Sequence, residues 1–280
     1  MMLAGGCDTH VHIIGDAHAY PMVAERHYTP GPASVDQLKT HLASQGLSRA
    51  VIVQPSVYGT NNQCLLDALE AMQGQARGIA VLSPSIDTAA LQALEARGVR
   101  GIRLNLESSG AHSVTALQSA LERWAPRLAD LGWHIQVYAP WATTLACAEV
   151  IAQLPVPVVL DHFALWPDES CGSTASVTLL GLLEMGHIYI KLSGSYRTPL
   201  PDAPAHIAVS RRLLATRPDR LLWASDWPHT NREPGRHAHE VSRYRDIASE
   251  ALLQERESWL TTSAIQHQVL LDNPQQLYRF

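Results

Sequence analysis

At 280 residues, with 46% hydrophobic and 17% charged residues, the chain can bury a large core without disulfide or metal staples. Its formal net charge of −5, with no basic block and no acidic tail, makes nucleic acid and anionic membranes poor partners. Four scattered cysteines form no C-x-x-C pair, and no apolar run approaches the roughly 18 residues of a membrane helix, so a cytoplasmic protein is expected. The opening MMLAGGC ends in a cysteine like a lipoprotein signal, but it lacks a charged n-region and a long apolar stretch and is not read as one.

Short apolar runs alternate with longer segments of helical period. GGCDTHVHII opens as a strand, and SVDQLKTHLASQG follows as a helix capped by Ser34 and stopped by Gly46. RAVIVQPS (49–56) is a strand and NNQCLLDALEAMQG a helix closed by Gly74. ARGIAVLS (76–83) is a strand, and DTAALQALEARG a helix capped by Asp87 and ended by Gly98. VRGIRLN (99–105) precedes SVTALQSALERWAPRLADLG, a long helix expected to kink or split at Pro126. WHIQVYAP, VPVVLDHF (156–163), HIYIKLSGS (187–195) and RLLWASDW (220–227) read as four further strands. The helices after them are TTLACAEVIAQL, SVTLLGLLEMG, a segment near 204–216 and a run from about 238 to 270, with NPQQLY (273–278) as a final turn.

Eight strands, each followed by a helix, with apolar runs that do not strictly alternate, describe a parallel sheet covered on both faces. This predicts a single-domain α/β protein over 1–280, a distorted (β/α)8 TIM barrel. A doubly wound open sheet is the alternative, but no glycine-rich phosphate loop follows an early strand.

Such barrels carry their active sites where the strands end. Those ends hold His10 and His12, Gln54 and Ser56, Ser83, Arg103 and Asn105, Tyr138, Asp161 and His162, Ser193 with Arg197 beyond, and Asp226 followed by Trp227 and His229. Strand alternation puts His10 and His12 on one face, with Asp8 on that face too. Two imidazoles facing one mouth suit a divalent metal or an oxyanion, and a hydrogen-bonded core pair is the bland alternative. Arginine grips carboxylates bidentately, so Arg103 and Arg197 imply a small anionic substrate unless each pairs with a structural acid.

DTHVH, VVLDHF, WASDWPH and NPQQLY resemble the amidohydrolase superfamily, in its branch of amidohydrolase-related lactonases. RHYTP, VIVQPSVYGTNN, ARGIAV, RGIRLN and WASDWPHTN are similar, in order, to segments of the 2-pyrone-4,6-dicarboxylate lactonases, over almost the whole chain. The resemblance implies a barrel that opens a lactone ring with water. Asp226 would be the general base, and His10, His12 and His162 would polarise the carbonyl or hold a metal that does so. Tyr28, Ser56, Arg103, Tyr138 and Arg197 would bind substrate.

A required cofactor is not expected. The resemblance implies that metal-binding members of the superfamily end strand four in a carboxylated lysine or a glutamate, or strand five in a histidine; here those ends are Arg103 and Tyr138. A divalent zinc or manganese could still sit on His10, His12, His162 and Asp226. The lactonases carry further basic residues after the strand-four arginine, whereas NLESSGAHSV here offers Glu107, with His112 as a partial substitute. A lactone with fewer carboxylates, such as a sugar-acid lactone, is therefore an alternative substrate. A metal-dependent decarboxylase, a lactone isomerase and a non-catalytic binding barrel are the competing functions. Trp141, Trp166 and Trp227 are candidate pocket walls, REPGRHAHE (232–240) a solvated loop leading into a helix, and Asp168 and Glu169 a rim loop. The oligomeric state is open, a homodimer being one assembly available to it.

Overall fold

The computed structural model describes residues 3–107, 113–167 and 174–280. His112, Asp168, Glu169 and Cys171 lie outside these described residues. Eight parallel strands form one sheet in sequential order: β1 (Cys7–Val11), β2 (Arg49–Val53), β3 (Ala76–Ala80), β4 (Val99–Asn105), β5 (His134–Tyr138), β6 (Val158–Leu160), β7 (Ile188–Ser193) and β8 (Leu221–Ala224). Just past β8 the sheet closes on itself. Val11 bridges Trp227, the His12 amide donates to Trp227 O at 2.9 Å, and the Asp226 amide donates to His10 O at 3.1 Å. The architecture is that of a (β/α)8 barrel.

Helices α1 (Val35–Ser44), α2 (Gln63–Ala71), α3 (Thr88–Ala96) and α4 (Val114–Ala129) wrap the first half. Their ends follow the expected chemistry. Ser34 accepts from the Gln37 amide in a reciprocal capping box, and Asp87 accepts from the Ala90 amide. Of the expected kink or split at Pro126, the split does not occur: α4 runs through Pro126, with Leu121, Trp124, Ala125 and Leu128 buried. The segment after β5 forms two short helices, α5 (Trp141–Ala146) and α6 (Ala148–Gln153), rather than one. α7 (Thr174–Glu184) and α8 (Ala203–Thr216) follow, then α9 (Ser249–Trp259), α10 (Ser263–His267) and α11 (Asn273–Tyr278).

The expected helix from about 238 does not form before Ser249. Instead Val241–Ser242 pairs in parallel with Thr29–Pro30. This short ribbon ties the loop after β8 to the loop after β1, over the mouth of the barrel.

The interior is layered by the period-2 alternation of each strand. At the floor, Cys7, Val51, Val53, Ile79, Val159, Tyr189 and Leu222 pack together, and Leu277 and Tyr278 of α11 plug them from below. One residue pair higher on three strands, the sequence changes character: Gln136, Asp161 and Lys191 face inward, each buried to within 1%. The thick outer core between sheet and helices takes the remaining large apolar side chains, including Trp124, Trp133 and Trp259.

Candidate active site

β1 does not alternate strictly. Cys7 pairs with Arg49 and Asp8 with Ala50, but Val11 pairs with Ile52, so the strand carries one extra residue at Thr9–His10. This β-bulge re-aims the chain. Asp8, expected beside the two histidines, turns instead to the helix layer. Its carboxylate accepts from the Ser225 amide at 3.0 Å and lies 3.3 Å from Nε2 of His41 on α1. There it braces the segment that leads into Asp226.

His10 and His12 remain neighbours, with ring centroids 5.0 Å apart, and His162 lies 5.0 Å from His10 on the other side. Asp226 completes the group. Its Oδ1 lies 3.8 Å from His10 Nε2 and 3.9 Å from His12 Nε2, and neither Oδ1 nor His10 Nε2 has a hydrogen-bond partner among the described residues. The other oxygen, Oδ2, accepts from Tyr196 Oη at 2.7 Å and from Arg197 Nε. Asp226 sits at φ +62°, a left-handed conformation uncommon for a non-glycine residue and concentrated at functional sites. His162 opens a left-handed turn at φ +47° and packs on Gly194, where an added Cβ would come within 2.9 Å of its Nδ1. A side chain at Gly194 would displace that ring.

The electrostatics keep this cluster in one charge state. Burial pushes the Asp226 carboxyl up, but the Arg197 guanidinium outweighs it and holds the group ionised well below the usual carboxylate range. Burial pushes His12 and His162 down to about 4, and takes His10 well below its ordinary value, so the rings are neutral near pH 7. His12 Nδ1 lies 2.7 Å from Val53 O. A carbonyl only accepts, so Nδ1 carries the ring proton and Nε2 presents a lone pair. In this neutral form His12 offers the Nε2 lone pair, which can accept a hydrogen bond from water or hold a metal.

A cleft of about 270 Å³ opens above Asp226. His12, His162, Tyr28, Ser56, Arg103, Tyr138 and Arg197 line it, so these sequence-selected residues converge on one space. His10 is not in the wall; it lies beneath Asp226, fully buried. Burial raises the Tyr138 hydroxyl to about 12, so it is a neutral donor. Arg103 and Arg197 each also hold a carboxylate of the protein. Arg103 Nη2 donates to Asp161 Oδ2 at 3.2 Å, while Arg197 Nη2 donates to Thr230 O and Oγ1 at 3.1 and 2.9 Å beside its bond to Asp226. Both remain on the cleft wall.

Several expectations are corrected. Trp141, Trp166 and Trp227 do not wall the cleft: Trp141 packs on Trp166 at 4.9 Å and Trp227 stacks on His41 at 5.7 Å. Gln54 turns to the backbone, donating to Gly59 O and Asn61 O. Arg232, read as part of a solvated loop, stands at the cleft edge with His27. Sequence reading assigns no role to Gln136, Asp161, Tyr196 or Lys191, the last being placed within strand seven only as no candidate for a strand-four ligand. The available signal was a lysine in HIYIKLSGS at inward register with Tyr189 and Ser193.

His10, His162 and Asp226 offer donor atoms within 4.8 Å of one another, a possible three-ligand metal site by distance and residue type. An ion there would polarise a substrate carbonyl. His12 falls outside that set. The surrounding charge fits a cation poorly, because the Lys191 ammonium lies 3.3 Å from His10 Nδ1 and Arg197 already neutralises Asp226.

An ionised carboxylate with one open oxygen, neutral imidazoles around it and arginines on the wall above define a barrel hydrolase centre. The amidohydrolase family model (Amidohydro_2) matches residues 7–280, and the chain belongs to that family. It is 30% identical to a 2-pyrone-4,6-dicarboxylate hydrolase of Comamonas testosteroni over 98% of this chain and 90% of that protein. It is also 30% identical to a 4-sulfomuconolactone hydrolase of Rhizobium radiobacter, again over 98% and 90%. A crystal structure of a probable 2-pyrone-4,6-dicarboxylic acid hydrolase from Acinetobacter baumannii, with citric acid bound, superposes with a TM-score of 0.81 at 27% identity, covering 99% of this chain and all of that one.

Proposed function

We propose that the protein opens the ring of a small carboxylated lactone by adding water. The observation that carries this reading is the divided Asp226 carboxylate: Oδ2 is fixed by Tyr196 and Arg197, and Oδ1 is open toward the cleft histidines. A water held between Oδ1 and the lone pair of His12 Nε2 gives a proton to Asp226 as its oxygen attacks the lactone carbonyl. The developing oxyanion needs donors from the opposite wall, where His162 and Tyr138 stand at 5.1 Å between ring centroids. Collapse of the tetrahedral intermediate breaks the ring ester bond, and the proton on Asp226 passes to the leaving oxygen.

The substrate class follows from the wall. Arg103 and Arg197 receive a carboxylate of the lactone, and Arg232 and His27 at the edge receive a second anionic group. Relatives named for a pyrone dicarboxylate and a sulfonated muconolactone support a substrate with two anionic groups. On this reading the clamp lacking after strand four is supplied from the loop after strand eight.

The test is a panel of mono- and dianionic lactones, sugar-acid lactones included, followed by proton release on chelator-treated and metal-replete protein. Stoichiometric proton release by the chelated protein is the expected result. Carbon dioxide release dependent on metal would identify a decarboxylase, and lactone conversion without proton release an isomerase; either would overturn the proposal.

A further inference from the structure

The hydrolytic reading leaves a fully buried lysine unused. Lys191 projects from β7 into the barrel axis, where its Nζ donates to Gln136 Oε1 at 2.8 Å and lies 3.3 Å from His10 Nδ1 and 3.5 Å from Asp161 Oδ1. An ammonium group has three protons and no lone pair, so it only donates. The Gln136 oxygen must therefore face Lys191, which turns its amide nitrogen the other way. That nitrogen donates to Asp161 Oδ2 at 3.1 Å and lies 3.5 Å from the same His10 Nδ1.

His10 Nδ1 thus meets two donors. One contact competes: Asp161 Oδ1 is 3.2 Å away, close enough to attract a proton on Nδ1. That contact falls outside hydrogen-bonding geometry, whereas Lys191 Nζ and Gln136 Nε2 both lie within it; the carboxylate is the competing acceptor for a proton on Nδ1. A neutral imidazole has one N–H. With Nδ1 accepting, that proton sits on Nε2, facing Asp226 Oδ1 at 3.8 Å.

We propose that Lys191, acting directly and through Gln136, is a positioning residue that locks His10 as its Nε2–H tautomer. His10 then points an N–H toward the Asp226 carboxylate, 3.8 Å away and beyond direct hydrogen-bond range, and is not a metal ligand, since the nitrogen that faces Asp226 carries a proton. The two histidines of HVH are held in opposite tautomers, His12 by a carbonyl acceptor and His10 by an ammonium donor. The pair sets an N–H below Oδ1 and a hydrogen-bond acceptor at its side, each just under 4 Å away. Lys191 places an ammonium group in the heart of the barrel at neutral pH, burial lowering it to about 8 while Asp161 supports the charge. Only the catalytic consequence rests on the hydrolytic reading; the tautomer itself does not.

The experiment is a long-range proton–nitrogen correlation spectrum of protein labelled with 15N-histidine. The His10 ring is assigned by its loss in His10→Gln. The expected pattern is Nε2 protonated and Nδ1 bare, unchanged by one equivalent of zinc. An Nδ1-protonated ring, or loss of the Nε2–H signal on adding zinc, overturns the proposal. In Lys191→Met the ring should swing to Nδ1–H, donated to Asp161; an unaltered tautomer would remove Lys191 from the role. Should that variant not fold, the spectrum of the unmodified protein still decides. A failed lactone panel leaves this result standing, and a failed spectrum leaves the lactone panel standing.

Discussion

Arg197 donates through Nε to Oδ2 of Asp226 and leaves Oδ1 of the same carboxylate without a hydrogen bond. One oxygen is spent on position and the other is kept for chemistry. The two residues come from the loops after neighbouring strands, β7 and β8, so the pairing follows from the pairing of those two strands.

Asp226→Asn removes the proton acceptor and keeps the shape. The variant should lose at least ~10²-fold in kcat while still binding the anionic product, because the arginines remain. Steady-state rates with equilibrium binding of product would check this. Full activity in the variant would take the base role away from Asp226.

Arg197→Met removes the charge that holds Asp226 ionised. The carboxyl then follows its burial upward, and the base becomes protonated at a higher pH than in the native protein. The acid limb of kcat/KM against pH should therefore move to higher pH, and KM should rise. A pH–rate profile with an unmoved acid limb would show that Arg197 does not tune the carboxylate.

Arg103→Met tests the anion clamp. A hydrogen bond to a charged group contributes about 1.5–3 kcal/mol, so KM for an anionic lactone should rise roughly 10- to 100-fold, with a smaller change in kcat. Asp161 keeps Gln136 and Lys191 as partners, which limits the loss of stability. Equal KM values for charged and neutral lactones in the native protein would argue against the clamp.

Acid should unfold the protein through its buried histidines. Burial depresses His12, His162 and His229 to about 4. Below the unfolded value near 6.5 the unfolded chain binds protons that the native rings refuse, so stability is complete above about pH 6.5 and falls as pH drops toward 4. Each unit of depression corresponds to about 1.4 kcal/mol. Melting temperature measured from pH 7.5 to 4.5 should fall steeply across this window, and a flat profile would contradict the neutral, buried state of these rings.

The strand pattern in the sequence was enough for the barrel, because parallel strands buried on both faces read as apolar runs of fixed length between capped helices. The segment 238–248 was misjudged as helix. Its pairing partner, Thr29–Pro30, lies about two hundred residues away, and no local pattern signals such a ribbon. Asp8 was misplaced for a related reason: a bulge is a mismatch of register between two strands, so it is invisible in either one alone.

By itself the sequence determined which side chains end the strands, and therefore which residues meet at the mouth: His12, Arg103, Tyr138, His162 and Asp226, with His10 buried beneath them. It determined this because period 2 within strands and sequential strand order leave few alternatives. Only the tertiary structure decided what those residues can do. Which nitrogen of His10 or His12 bears the proton depends on whether its neighbour donates or accepts, and those neighbours, Lys191 and Val53, come from other strands. The state of Asp226 likewise depends on Arg197 across a strand boundary. Charge and hydrogen bonding act through space at a few ångströms, and the chain order does not record those distances.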